Sequence, residues 1–291
     1  MLFMNTPAPN KNPSPTPSTP QPSVQTQLFQ PDLQLVLEVG YQGSAYAGFA
    51  EQEYAPTVAG ELRKALTILL HRDVELVCAG RTDAGVHALA QTVAIPVLFA
   101  EREAFSSKRI LEGLQALVPN DISIRGVYAA GPLFSPRFDA LSRTYNYRIA
   151  QGLPPLLSAP FTAWEKHPLD ITLMRRAARY FIGTHDFTSF CRAASAKDKN
   201  TERTINKIKV IPEELMGDSL ISIQIEGRAF LHNMVRIMVG SLVMVGRGKR
   251  DPHWIQEVLD AADRKAAGPT FPPQGLLFEK VRYKPGTFEP W

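Results

Sequence analysis

The chain has 291 residues, 44% hydrophobic and 21% charged, with a net charge of +4 and a pI of about 9.0. This composition fits a folded chain of one large domain or two ordinary ones, and it excludes a largely disordered or collagen-like protein. No apolar run approaches the ~20 residues of a membrane span. Two cysteines, Cys78 and Cys191, exclude a disulfide framework and make the cytoplasm the expected compartment. Residues 1–10 lack the basic flank and apolar core of a signal peptide.

Residues 1–31 carry eight prolines and one charged side chain, Lys11. Such a segment cannot bury enough apolar surface to offset its ordering entropy, so a disordered tail is expected. In residues 33–39, Leu33, Leu35, Leu37 and Val39 alternate onto one face, predicting a strand. Thr57 then caps a helix with an apolar stripe of Val58, Leu62, Ala65, Leu66 and Leu69. Strands are predicted over 74–79 and 91–97, Pro96 marking an edge or strand end. A helix through Ile110, Leu114 and Leu117 stops at Pro119, and a strand follows from Ile122. The order strand, helix, strand, strand, helix, strand is that of a split βαβ unit. The second half repeats it: a strand over 143–149, a helix capped by Asp170, strands around 204–211 and 219–227, a helix over 230–245, another from Asp251-Pro252, and a closing strand over 275–283. The fold class is therefore α+β. Two ferredoxin-like subdomains, residues 32–140 and 141–285, form one extended, mainly antiparallel sheet with helices on one face, and 286–291 is a short tail.

Four features could carry chemistry. In AGRTDAGVHA, residues 79–88, a predicted strand ends and two glycines bracket Arg81, Asp83 and His87. Glycines let a backbone turn sharply and approach a ligand, and a neighbouring guanidinium favours an ionised, directed carboxylate. A surface turn with a local ion pair is the plain alternative. The second feature is AFLHNMVRIMVGSL, residues 229–242, a helix apolar nearly all round that contains Arg236. A buried guanidinium needs an anion, which could be a structural glutamate, a phosphate or Asp83. The third, residues 134–149, interleaves Arg137, Arg143 and Arg148 with Phe138, Tyr145 and Tyr147, a pattern suited to base stacking and phosphate contact or to an ordinary half-buried strand. The fourth, residues 191–209, is a basic loop with Arg192 and Arg203. His87 and His232 read as structural. No histidine–cysteine spacing suits zinc, and no phosphate loop or nucleophile elbow occurs, so no metal or cofactor is expected.

Together these stretches resemble the tRNA pseudouridine synthase A family. The signature is AGRTDAGVHA. In order along the chain, EVGYQGSAYAGF, VPNDISI, PRFDALSRTYNYRI, GTHDFTSF, AFLHNMVRIMVGSLVMVG and GLLFEKVRY also match, covering residues 33–283. Two places depart from the family pattern: Gly48-Phe49-Ala50 stands where Gly-Trp-Gln is usual, and Ala90-Gln91 where Gly-Gln is usual.

The resemblance implies an isomerase that breaks the uracil N1–ribose C1′ bond, turns the base and rejoins it through C5 without metal or cofactor. Its substrates would be uridines at positions 38, 39 and 40 in the tRNA anticodon stem-loop, bound by a cytoplasmic homodimer. Asp83 matches the essential carboxylate, acting on C1′ or on the ribose 2′ proton. Arg81 and Arg236 would orient it and keep it ionised, and Tyr145 would stack on the uracil. Arg137, Arg143, Arg148, Arg192 and Arg203 are the expected RNA contacts, with salt-sensitive binding as the consequence. Two other readings of the same residues are a tRNA-binding module without turnover and a nucleosidase that releases free uracil.

Overall fold

Leu33, Leu35, Leu37 and Val39 are fully buried on one face of the first strand, as their alternation requires. The computed structural model describes residues 30–192 and 200–291. The expected tail, apart from Gln30 and Pro31, and the middle of the basic loop lie outside them. The elements are β1 (Leu33–Tyr41), α1 (Val58–Leu70), β2 (Val77–Cys78), β3 (His87–Val97), α2 (Phe99–Ala104), α3 (Ser107–Leu117), β4 (Ile122–Ala130) and β5 (Ser142–Gln151). There follow β6 (Ala163–Glu165), α4 (Ile171–Ala178), β7 (Gly183–Asp186), β8 (Glu202–Leu215), β9 (Asp218–Gly227), α5 (Met234–Gly246), α6 (Trp254–Ala261), β10 (Leu276–Arg282) and β11 (Glu289–Pro290).

The fold is α+β. Eleven strands among the described residues form one sheet in the order β11-β4-β1-β3-β10-β5-β9-β8-β7, with β2 added to β3 and β6 to β5. Its pairings are antiparallel except β10 with β3 and β5 with β6. Strands β1 to β4 lie on one side and β5, β7, β8 and β9 on the other. Strand β10, from near the end of the chain, sits between β3 and β5 and joins them.

One apolar core runs under both sides, where the buried face of β1 meets Leu62 and Leu66 of α1 and Ile110 and Leu114 of α3. Ile221, Ile223 and Ile225 of β9 extend it toward α5. Each such side chain contributes roughly 1.5–3 kcal/mol when fully buried. Two of the three predicted caps form: Thr57 accepts the Gly60 N–H, and Asp170 accepts those of Thr172 and Leu173, whereas the helix expected from Asp251-Pro252 begins at Trp254 with His253 at its N-cap position. No helix among the described residues is long and apolar enough to cross a membrane.

Two expected elements change. The strand over 74–79 shrinks to Val77–Cys78, the residues in ladder register with Ala94 and Val93 of β3, before the chain turns at Gly80. The helix expected from residue 230 starts at Met234, because Asn233 adopts a left-handed conformation with φ 63° and breaks the run. Asparagine tolerates that region better than most side chains do. Within α5 only Arg236 and Met244 are not fully buried.

Candidate active site

The loop after β2 is held by backbone packing. The N–H of Phe49 donates to the Thr82 carbonyl at 3.1 Å, and that of Val86 to the Asp83 carbonyl at 3.2 Å. The Thr82 hydroxyl shares a 2.8 Å hydrogen bond with the buried Tyr41 hydroxyl. Gly43 lies so close that a Cβ there would stand 2.0 Å from the Val86 carbonyl oxygen. At Gly48, with φ 111°, a Cβ would stand 2.7 Å from that of Thr82. The two glycine-rich stretches of the sequence are thus halves of one packed unit, and Asp83 is carried on a backbone that cannot drift. Gln91, fully buried, donates to the Gly80 carbonyl at 2.6 Å. His87 is structural as expected: its Nδ1 accepts the Gly43 N–H at 3.1 Å, and burial lowers its pKa.

Arg236 answers the question its burial raised. Its Nη1 lies 3.3 Å from Asp83 Oδ2. The same nitrogen donates to Asn233 Oδ1 at 2.9 Å, and Nε donates to the Phe271 carbonyl at 2.8 Å. That carbonyl is within reach because Gly240 has no side chain: a Cβ there would stand 1.9 Å from the Pro269 carbonyl oxygen. The guanidinium grips Asp83 with one nitrogen rather than a two-pronged fork, so the carboxylate keeps acceptor capacity for a substrate. His232 Nε2 lies 3.2 Å from Asp83 Oδ1. Sequence reasoning set this histidine aside as structural. The signal that could have found it was Asn233, whose left-handed tendency ends the helix and leaves His232 outside it.

Arg81 is exposed, and among the described residues it makes no ion pair or hydrogen bond. The expected Arg81–Asp83 pair is therefore corrected: two residues of separation in a turn do not bring the side chains together, and Arg236 supplies the charge. Tyr145, on β5, is 7% exposed and packs edge-on to Phe230 and tilted against Phe278, each at 4.9 Å between centroids. A Cβ at Gly80 would stand 3.8 Å from its hydroxyl, which places the ring beneath the start of the Asp83 loop. Burial raises the Tyr145 pKa well above its ordinary value. Arg143 opposes that shift, and the charge on Asp83 adds to it.

Three of the expected RNA contacts are placed otherwise. Arg143 is buried and donates to the carbonyls of Ala79, Arg137 and Arg228, so it clamps the loop from below. Arg148 falls on the face of β5 opposite Tyr145 and pairs with Glu213 at 2.9 Å. Arg203 turns onto the carbonyls of Asn200 and Glu202. Arg137 is exposed, its guanidinium 5.5 Å from the centre of the exposed Phe138 ring. Arg192 is exposed, and its N–H donates to the His232 carbonyl at 3.2 Å. Among the described residues no group of three His, Cys, Asp or Glu side chains is placed to hold a metal ion.

An arginine-held carboxylate, part exposed and near a buried tyrosine, is an arrangement suited to carboxylate-dependent chemistry. The tRNA pseudouridine synthase family pattern matches residues 39–139 and 177–284. The tRNA pseudouridine synthase A of Myxococcus xanthus is 39% identical over 257 residues, covering 88% of this chain and 93% of that protein. Those of Francisella tularensis subsp. novicida and Pseudomonas aeruginosa are also 39% identical, covering 87% and 88% of this chain and 95% and 87% of those proteins. The chain belongs to the tRNA pseudouridine synthase family.

Proposed function

We propose that this chain converts uridine to pseudouridine in tRNA, at positions 38, 39 and 40 of the anticodon stem-loop, as a cytoplasmic homodimer. The observation that carries the reading is Asp83, fixed on a locked loop and paired with Arg236. The base must leave its stack to reach that carboxylate. Asp83 then attacks C1′ or takes the 2′ proton, and the N1–C1′ bond breaks with its electrons on uracil. The base turns and C5 bonds to C1′, displacing Asp83 from that carbon on the first route or with return of the proton to C2′ on the second; C5 then loses its proton and N1 gains one, so product and substrate are isomers. Arg236 holds Asp83 Oδ2 in place. Tyr145, held protonated by burial, serves as a neutral platform for the ring. Arg137 with Phe138, and Arg192, are the exposed groups suited to phosphate and base contact.

Loss of the C5 hydrogen gives a direct test. A tRNA transcript tritiated at uracil C5 releases tritium to water, with no free uracil, if the chain is an isomerase. Free uracil marks a nucleosidase instead, and salt-sensitive binding with neither product marks a binding module.

A further inference from the structure

Gln91 stands in a row of apolar side chains. Along β3, Gln91, Val93, Ile95 and Val97 share one face, and the three apolar residues lie in the core. Gln91 is itself fully buried. An amide in that place needs a partner for each polar atom. Both atoms go to a single residue: Nε2 donates to the Gly80 carbonyl at 2.6 Å, and Oε1 accepts the Gly80 N–H at 3.4 Å.

The sheet explains the pairing. Strand β1 occupies one edge of β3, so β2 and β10 share the other. There Val77 faces Ala94, Cys78 faces Val93, and the Ala79 N–H donates to the Thr92 carbonyl at 2.9 Å. Gly80 and Gln91 are the next pair in line. The backbone ladder has ended, and the amide side chain takes its place, offering Gly80 one donor and one acceptor as an opposing strand would. Strand β10 takes up the edge only at Ala88 and His87.

Resting on the reading of Asp83 as the reacting carboxylate, we infer that Gln91 is a positioning residue for the reaction. By holding Gly80 at both N–H and carbonyl, it sets the direction in which the loop leaves the sheet, and so where Asp83, three residues on, meets the ribose. Being fully buried, it touches no RNA. Without it Gly80, which is half-buried, takes water instead, so the chain folds while the carboxylate loses its aim. Misplacement of a reacting group on the order of 1 Å costs up to about 100-fold in rate.

The test uses Gln91→Met and Gln91→Glu. Methionine keeps the length and loses both polar atoms. An ionised glutamate only accepts, so it sets a charge against the Gly80 carbonyl. Protonated, it offers one O–H donor and one carbonyl acceptor, the pattern of the amide. Burial raises the pKa of such a carboxyl. The titratable groups around Gly80 are Tyr41, Cys78 and Tyr145, which burial keeps neutral, and Arg143, which stays charged. Dividing by the wild-type rate at each pH removes the titration of Asp83.

The readouts are single-turnover pseudouridine formation at saturating tRNA, from mildly alkaline to mildly acidic pH, and Kd. Gln91→Met should be about 10- to 100-fold slower throughout, with Kd within about twofold of wild type. Gln91→Glu should be as slow as Gln91→Met at the alkaline end and regain most of the wild-type rate toward the acidic end. A role in packing alone gives no such recovery. Should Gln91→Met fail to fold, the two ends of the Gln91→Glu profile still decide. A wild-type rate in Gln91→Met, or a Gln91→Glu rate that does not rise against wild type in acid, would overturn the inference and leave the reading of Asp83 standing. A wild-type chain that forms no pseudouridine would sink both.

Discussion

Asp83 Oδ2 and Arg236 Nη1 lie 3.3 Å apart although 153 residues separate them in the chain. The contact ties a loop of the first strands to a helix of the last ones, so the site exists only when both sides of the sheet are assembled. Arg236→Ala should lower turnover by about 100- to 1,000-fold, the cost of removing one charge-stabilising donor. It should also destabilise the fold by about 1–3 kcal/mol, because the Phe271 carbonyl loses its donor. Arg236→Lys should not rescue activity, since one ammonium cannot reproduce the planar reach to Asn233, Phe271 and Asp83. Rates and melting curves of the two variants check this.

Arg137 and Arg143 are neighbours in sequence with opposite expected behaviour. Arg143→Ala strips donors from three carbonyls beneath the loop and should lower stability by several kcal/mol. Arg137→Ala should leave the melting temperature unchanged and reduce the salt dependence of tRNA binding by about one phosphate contact. Denaturant unfolding and a salt titration of Kd separate the two.

Much of the site was legible before the structure, for reasons particular residues make plain. Asp83 stood out because glycines and charges were crowded into a turn; Tyr145 lay in an alternation of aromatics and arginines that equally suits a half-buried strand, and its role came from the family resemblance. Arg236 was readable as a buried charge in want of an anion, with Asp83 one of three candidates; spacing alone could not choose, since nothing in a sequence states which distant loop reaches a helix, and the family resemblance pointed to Asp83. Arg81 misled because closeness in the chain was taken for closeness in space. Arg143 and Arg148 were grouped as RNA contacts, yet one is buried and strand alternation puts the other on the opposite face from Tyr145. Strands β6, β7 and β11 are too short to show a period and exist through their sheet partners.

The glycines before α1 should tolerate no side chain. Gly43→Ala would drive a methyl into the Val86 carbonyl, and Gly48→Ala adds the strain of a positive φ. Both should cost roughly 1–3 kcal/mol or more. Activity should fall further than stability does, since the displaced backbone is the one that carries Asp83. Gly131→Ala, where a Cβ meets nothing within 4 Å, is the matched control. Thermal melts beside turnover rates report the difference.

His87 predicts an acid limb in stability. Burial lowers its pKa below the ordinary value of 6.5, so the native ring is neutral while the unfolded ring takes a proton as pH falls below that value. The unfolded state then binds more protons, and stability present above about pH 6.5 is lost as pH drops, by up to about 1.4 kcal/mol per pH unit. His87→Asn keeps an acceptor for the Gly43 N–H and should flatten this limb. Melting midpoints of both chains between neutral pH and mildly acidic pH read the effect.

The central claim is that Asp83 performs isomerisation in the anticodon stem-loop. The most direct measurement is pseudouridine mapping, by carbodiimide adduct and primer extension, on an unmodified tRNA transcript treated with the wild-type chain or with Asp83→Asn. The prediction is new stops at positions 38 to 40 with the wild type and none with the variant, while both bind the tRNA. Stops that persist in the variant, or a wild-type chain that binds and leaves every uridine unchanged, would contradict it.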